Sequence, residues 1–158
     1  MADQHPDIAE QRARLMEGLR IYGSAFNQFG RRFSQWAGLH ATDGEALMEI
    51  VYAEERGRPL SPSRLAERVL LTSGATTSLI DRLERAGHVV RTREGSDRRT
   101  VTLRSGSNVH EMAEQFFGPL GHRLDAMMAT HDPELLAQFE SFLSELTTTM
   151  QAQLDDPR

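Results

Sequence analysis

Residues 61–74, Ser61-Pro62-Ser63-Arg64-Leu65-Ala66-Glu67-Arg68-Val69-Leu70-Leu71-Thr72-Ser73-Gly74, decide the fold. Ser61 offers a capping hydroxyl, and Pro62 stands at a first helical position, where a missing N–H costs nothing. A short helix should follow, with Leu65, Val69 and Leu70 on its buried side. It runs into Leu71-Thr72-Ser73-Gly74, a break that holds two capping hydroxyls and a glycine. The continuation, Ala75-Thr76-Thr77-Ser78-Leu79-Ile80-Asp81-Arg82-Leu83-Glu84-Arg85, predicts a second helix. Leu79, Ile80 and Leu83 point inward in it, leaving Thr76, Thr77, Asp81, Arg82 and Arg85 available outward. Ala86-Gly87 closes it as a glycine C-terminal cap.

Two short β segments come next. His88-Val89-Val90-Arg91-Thr92-Arg93 and Thr100-Val101-Thr102-Leu103-Arg104 alternate partly and are rich in β-branched residues. Between them Glu94-Gly95-Ser96-Asp97-Arg98-Arg99 reads as a polar, basic hairpin tip. Helix, tight turn, helix and basic hairpin is the order of a winged helix-turn-helix.

Outward from this block the chain is helical. Towards the N-terminus, Leu15, Leu19, Tyr22, Phe26, Phe29, Phe33 and Trp36 alternate spacings of four and three. They form an apolar stripe close to a heptad seam on one helix from Ile8 to about Ala37. Thr42-Asp43-Gly44-Glu45 has the capping-box form and predicts a second helix to about Glu54. Towards the C-terminus, Met112, Phe116, Leu120 and Leu124 mark another helix, in which Gly118-Pro119 and Gly121 predict a kink or break. Asp132-Pro133 starts the last helix, whose apolar face is Phe139, Phe142, Leu146 and Met150. The fold class expected is mainly α with a small β-hairpin wing.

Composition limits the function classes. The 158 residues allow one domain with a sizeable core, and the hydrophobic fraction of 39% is that of a globular chain. No run reaches the length of a membrane span and the start lacks a signal-peptide pattern, so a cytoplasmic protein with no membrane partner is expected. Zero cysteines exclude a disulfide framework and thiolate metal sites. The net charge of −5 hides an asymmetry: from Arg56 to Arg104 there are 11 arginines against five acids, and elsewhere seven against 18. A basic block between acidic arms suits a module that meets phosphates.

The run Leu65-Ala66-Glu67-Arg68, then Thr77-Ser78-Leu79-Ile80-Asp81-Arg82-Leu83-Glu84-Arg85-Ala86-Gly87-His88-Val89-Val90-Arg91, followed by Ser96-Asp97-Arg98-Arg99 and Val101-Thr102-Leu103, resembles the MarR family of bacterial regulators. The strong match runs from Leu60 to Leu103, with looser agreement in helix order along the whole chain. The resemblance implies a single domain over 1–158, with a winged helix-turn-helix DNA-binding region at 42–104 and dimerisation helices at 8–37 and 106–152. It also implies a homodimer that binds the half-sites of a pseudo-palindromic operator in double-stranded DNA, and a small molecule that lowers DNA affinity. One departure stands out. After Leu103 the family commonly places a threonine and then a glycine, whereas here Arg104-Ser105-Gly106-Ser107-Asn108 follows. The next helix should therefore start late, with Ser105 or Ser107 as its cap.

Candidate DNA contacts follow from side-chain chemistry. Ser73, Thr76 and Thr77 place short hydroxyls at a helix N-terminus, where they can meet base edges or phosphates deep in a major groove. Arg82 is long enough to reach a phosphate or a guanine, or to pair with Asp81 or Glu84 instead. Ser63 and Arg64, at the start of the preceding helix, can touch backbone phosphates. At the hairpin tip Arg98 and Arg99 suit a narrow minor groove, which concentrates negative potential. By resemblance Arg99 is the inserted residue and Asp97 its orienting partner.

Phe33, Trp36, His40, Met48 and Phe116 fall where the family's ligand cleft would lie, and an apolar pocket with few polar groups suits an aromatic or phenolic compound. Each can equally be plain core. His110 and Glu114, and His122 and Asp125, are spaced as metal pairs can be, but polar surface explains them as well, and no metal or cofactor is expected. No nucleophilic triad or phosphate-cradling loop is present to suggest an enzyme. The function expected is a sequence-specific transcription regulator, a repressor released by a small ligand. The alternatives are an activator, a regulator without a ligand, and a protein-interaction module on the same fold.

Overall fold

The computed structural model describes residues 7–93 and 101–156. In chain order the elements are α1 (Ile8–Trp36), α2 (Ala41–Glu55), α3 (Pro62–Arg68), α4 (Ser73–Arg85), β1 (Val89–Arg93), β2 (Val101–Ser105), α5 (Val109–Met128) and α6 (Pro133–Leu154). The protein is mainly helical with one antiparallel hairpin, as expected. The hairpin tip at 94–99, with Asp97, Arg98 and Arg99, lies outside the described residues. The chain forms two compact units, Met1–Met112 and Ala113–Arg158.

The first unit has its core where the apolar periodicity placed it. Leu47 and Ile50 of α2, Leu65 of α3, Leu79, Ile80 and Leu83 of α4, Val89 of β1 and Leu103 of β2 are all almost fully buried. Each such side chain contributes about 1.5–3 kcal/mol relative to leaving it in water. Phe33 of α1 and Val109, the first residue of α5, join this core. In the hairpin Val89 faces Ser105, Arg91 faces Leu103 and Arg93 faces Val101. The Leu103 N–H donates to the Leu60 carbonyl at 2.8 Å, tying the hairpin to the segment before α3. Gly106 is required at the exit of β2, because a Cβ there would lie 1.9 Å from the Gly87 carbonyl oxygen.

Three helix starts follow local chemistry closely. Ser61 accepts from the Arg64 N–H, Thr72 from Ala75 and Asp132 from Glu134, each a side-chain N-cap. The expected box at Thr42–Glu45 does not form: α2 already starts at Ala41, and its cap, His40, makes no side-chain bond. The carboxylate of Asp43 is drawn instead to a distant arginine. Neither Ser105 nor Ser107 caps α5: Ser105 ends β2, and the helix begins at Val109. Of the kink or break expected at Gly118-Pro119, the break does not occur: the helix runs on through Pro119 to Met128.

The second unit contains the rest of α5 and all of α6. No residue of α6 is buried. Among the described residues no helix is long and apolar enough to cross a membrane.

Candidate nucleic-acid interface

The reading module is set by α4, and α4 is held from three directions. Its apolar face packs into the core through Leu79, Ile80 and Leu83. From α2, the buried Asp43 carboxylate receives Arg82 in a fork, Nε at 2.9 Å and Nη2 at 2.6 Å. From β1, Arg91 donates to Asp81 at 2.6 Å and also to Glu84. The hydrogen bond to Asp43 raises the pKa of Arg82 above its ordinary value, and that to Asp81 does the same for Arg91. Two-point guanidinium–carboxylate pairing fixes orientation as well as position, so the rotation of α4 about its axis is determined.

That rotation decides which hydroxyls face out. Thr77 is exposed and Ser73 is exposed, as expected. Thr76 is not: it is 1% accessible, and its hydroxyl donates to the Thr72 carbonyl at 3.0 Å. A threonine can go inward in a helix because its hydroxyl is satisfied four residues back, and Thr76 is therefore removed from the contact surface. Ser78, which sequence reasoning passed over, takes its place on the exposed face with its hydroxyl on the Gly74 carbonyl. The signal was available, since Ser78 lies four residues from Gly74 and one from Thr77. Arg82 is likewise corrected. Its partner is Asp43, 39 residues away, rather than Asp81 or Glu84, and two of its three nitrogens are committed to α2.

On α3, Ser63 and Arg64 are exposed, and the Ser63 and Ser61 hydroxyls are 3.0 Å apart. None of the ion pairs among the described residues uses Arg64 or Arg85. Both are exposed, Arg64 in the first turn of α3 and Arg85 in the last turn of α4. Small polar side chains along one face of α4 and two uncommitted arginines on the paired helices make a surface that can approach a polyanion closely.

Glu54 joins α2 to the hairpin. It accepts from the Ser105 N–H at 2.9 Å and the Ser105 hydroxyl at 2.6 Å, with Arg104 at 3.4 Å. Burial pushes the Glu54 carboxyl up, but the two Ser105 bonds, with Arg104 and His110, outweigh it and hold the carboxyl below its usual range. This explains Ser105, which the sequence offered as a helix cap.

The candidate ligand residues lie in three helices and in the link before α2. Phe33 is fully buried, Trp36 is 50% exposed and their ring centroids are 6.3 Å apart. Met48 is half-buried, His40 is exposed at the start of α2, and Phe116 belongs to the second unit.

Helix, left-handed turn, helix and hairpin in this packing define a winged helix-turn-helix protein. The sequence pattern of the MarR family matches residues 37–100, from just after α1 to the residue before β2. The chain is 28% identical over 136 residues to the HTH-type transcriptional regulator YcgE of Bacillus subtilis, covering 86% of each. It is 26% identical over 111 residues to the HTH-type transcriptional repressor YetL of the same organism, covering 70% of this chain and 66% of that one. Among solved structures, a MarR family protein from Bacillus stearothermophilus superposes with a TM-score of 0.64 at 24% identity, over 92% of this chain and 99% of that one. A Staphylococcus aureus MepR variant bound to an oligodeoxyribonucleotide superposes with a TM-score of 0.51 at 15% identity, over 86% of this chain and 97% of that one. The chain therefore carries the MarR family pattern over residues 37–100, and it is a DNA-binding transcription regulator.

Proposed function

We propose that this regulator is a homodimeric repressor that reads a pseudo-palindromic operator in double-stranded DNA and is released by a small aromatic or phenolic ligand. The observation that carries the DNA reading is the outward face of α4, where Ser73, Gly74, Thr77 and Ser78 leave nothing bulky at the helix N-terminus. A helix so faced can lie deep in a major groove about 12 Å wide. Ser63, Arg64 and Arg85 then meet flanking phosphates, and, as the family resemblance implies, Arg99 with Asp97 as its orienting partner enters the adjacent minor groove, with Arg98 beside it in sequence. Arg82 acts through its hold on α2, setting the angle of α4.

The homodimer is supported by the flanking helices at 8–37 and 106–152. In α1, Leu15, Tyr22, Phe26, Phe29 and Trp36 are exposed, and α6 exposes Phe139 and Phe142. Such faces ask for a second copy. The ligand reading is supported by the ring pair Phe33–Trp36 at the end of α1, one ring buried and one half-exposed. Repression is supported by the name of the relative YetL. The protein works in the cytoplasm, where its operator is.

A fluorescence-anisotropy titration tests the proposal, using a duplex selected by the protein from a random-sequence pool and an unselected duplex, at two salt concentrations. The selected duplex should bind tighter by about 10³-fold or more, and both affinities should fall steeply with salt. Arg99→Ala should weaken the selected duplex by about 1–3 kcal/mol and leave the dimer intact. Equal affinity for both duplexes would defeat the reading.

A further inference from the structure

Four helices of the first unit end in the same way. After α1, α2, α3 and α4 the chain turns through one left-handed residue, and the next N–H reaches back to a carbonyl five residues earlier. The bonds are Leu39 to Ser34 at 2.8 Å, Arg58 to Ala53 at 2.9 Å, Leu71 to Ala66 at 3.1 Å and His88 to Leu83 at 2.8 Å. This is the Schellman cap, whose left-handed position favours glycine. Glycine stands there three times, as Gly38, Gly57 and Gly87, with φ of 69°, 68° and 76°. The fourth is Leu70, with φ of 53°.

Leu70 is unfavourable for the isolated chain on both counts that matter. A Cβ in the left-handed region crowds the following carbonyl. Burial of the isobutyl group would offset that crowding, but Leu70 is 89% exposed, the most exposed large apolar side chain among the described residues. The sequence pattern had placed it on the buried side of α3, and the left-handed turn is what swings it out. Its location is specific. Leu70 sits inside the helix-turn-helix, two residues before the Thr72 cap of α4 and three before Ser73, so its Cα lies within about 11 Å of the Ser73 Cα.

We propose that Leu70 is a specificity-determining contact of the reading head, its isobutyl group meeting the C5-methyl of a thymine as the N-terminus of α4 enters the major groove. The thymine methyl is the one apolar feature that groove displays, and apolar side chains read it. This inference rests on the reading of α4 as the groove-entering helix. Local strain at a binding surface that the free chain does not relieve is the arrangement expected where the partner supplies the compensation.

Leu70→Gly and Leu70→Ala separate the two roles. Glycine removes the strain and the side chain together; alanine removes the side chain and keeps most of the strain. Relief of left-handed crowding should exceed the added freedom of an unfolded glycine, so Leu70→Gly should raise the Tm by about 2–4 °C. Wild type and both variants are each used to select duplexes from a random-sequence pool, and the wild-type winner is titrated with all three. Both variants should bind that duplex about five- to tenfold more weakly, the loss expected for one poorly read base pair. Both should also relax the selection for thymine at a single position in each half-site.

A more stable Leu70→Gly that binds and selects as wild type does would overturn the proposal. So would a Leu70→Gly that is no more stable than wild type, since the leucine would then cost the fold nothing. A wild-type protein that selects no sequence from the pool would bring down the reading of α4 itself, and this proposal with it.

Discussion

The segment from α2 to β2 and the two flanking helices α1 and α6 are both rich in apolar residues, yet they use them in opposite ways. In the first region Leu47, Ile50, Leu65, Leu79, Ile80, Leu83 and Leu103 are buried against one another, and the polar links are closed. Asp43 holds Arg82, Glu54 holds Ser105, and Arg91 spans Asp81 and Glu84. In α6 no residue is buried, and Phe139, Phe142, Leu143 and Met150 are 37–61% exposed. In α1 only Phe33 of the seven seam residues is buried. One region is complete within a single chain, and the other has the form of half an interface. The difference teaches that the reading head is preorganised, while under the homodimer proposed above its placement on DNA depends on what covers the flanks.

The comparison breaks most readily at the flanks. Phe26→Glu puts a charge in the middle of the α1 seam, at a position 52% exposed in the chain. Sedimentation equilibrium should show the mass fall from two chains to one. Operator affinity should drop by about 10²-fold or more, because the second half-site no longer binds as part of the same particle. A variant that stays dimeric would place the interface elsewhere.

Within the complete region the next effect is on the hold between α2 and α4. Removing Arg82 leaves the Asp43 carboxylate, 3% exposed, without its counter-charge, whereas removing Asp43 leaves a guanidinium that can turn to water. Arg82→Ala should therefore lower the Tm more than Asp43→Ala, as differential scanning calorimetry would show. Equal losses would mean that the Asp43 carboxylate is not stranded when Arg82 is removed. Smaller still is the contrast between neighbouring threonines. Thr77→Val should weaken the selected duplex by about 1 kcal/mol in the anisotropy titration with no change in stability. Thr76→Val, at a buried position, should leave DNA affinity alone. The reverse pattern would mean that α4 is rotated from the orientation described above.

The smallest effect concerns acid. Because the folded pKa of Glu54 lies below the unfolded value of 4.5, its contribution is complete above that pH and is lost as pH falls through the folded pKa. Urea unfolding of Glu54→Gln should show a shallower loss of stability than wild type below about pH 4.5. Parallel pH profiles would remove Glu54 as a link between α2 and the hairpin.

Much of this was legible in the sequence because it is local. The alternating stripe of α1, the caps Ser61, Thr72 and Asp132, and the buried trio Leu79, Ile80 and Leu83 each follow from spacing or from one side chain's reach to a nearby N–H. What was missed depends on partners far along the chain. Asp43 read as part of a capping box because Glu45 follows it, and nothing nearby announces Arg82, 39 residues on. Ser105 read as a cap because its acceptor, Glu54, is 51 residues away. Thr76 and Leu70 exchanged places for a different reason. A hydroxyl satisfied by its own helix can be buried, and an apolar residue in a left-handed turn can be thrown outward, so polarity alone assigned both to the wrong side.

The central claim is that two complete reading heads are brought to one operator by two incomplete flanks. Sedimentation equilibrium of the protein on its selected duplex tests this directly, because it counts chains per DNA. Two chains per duplex, with no population at one chain even when DNA is in excess, is the result expected. One chain per duplex at saturation would contradict the account.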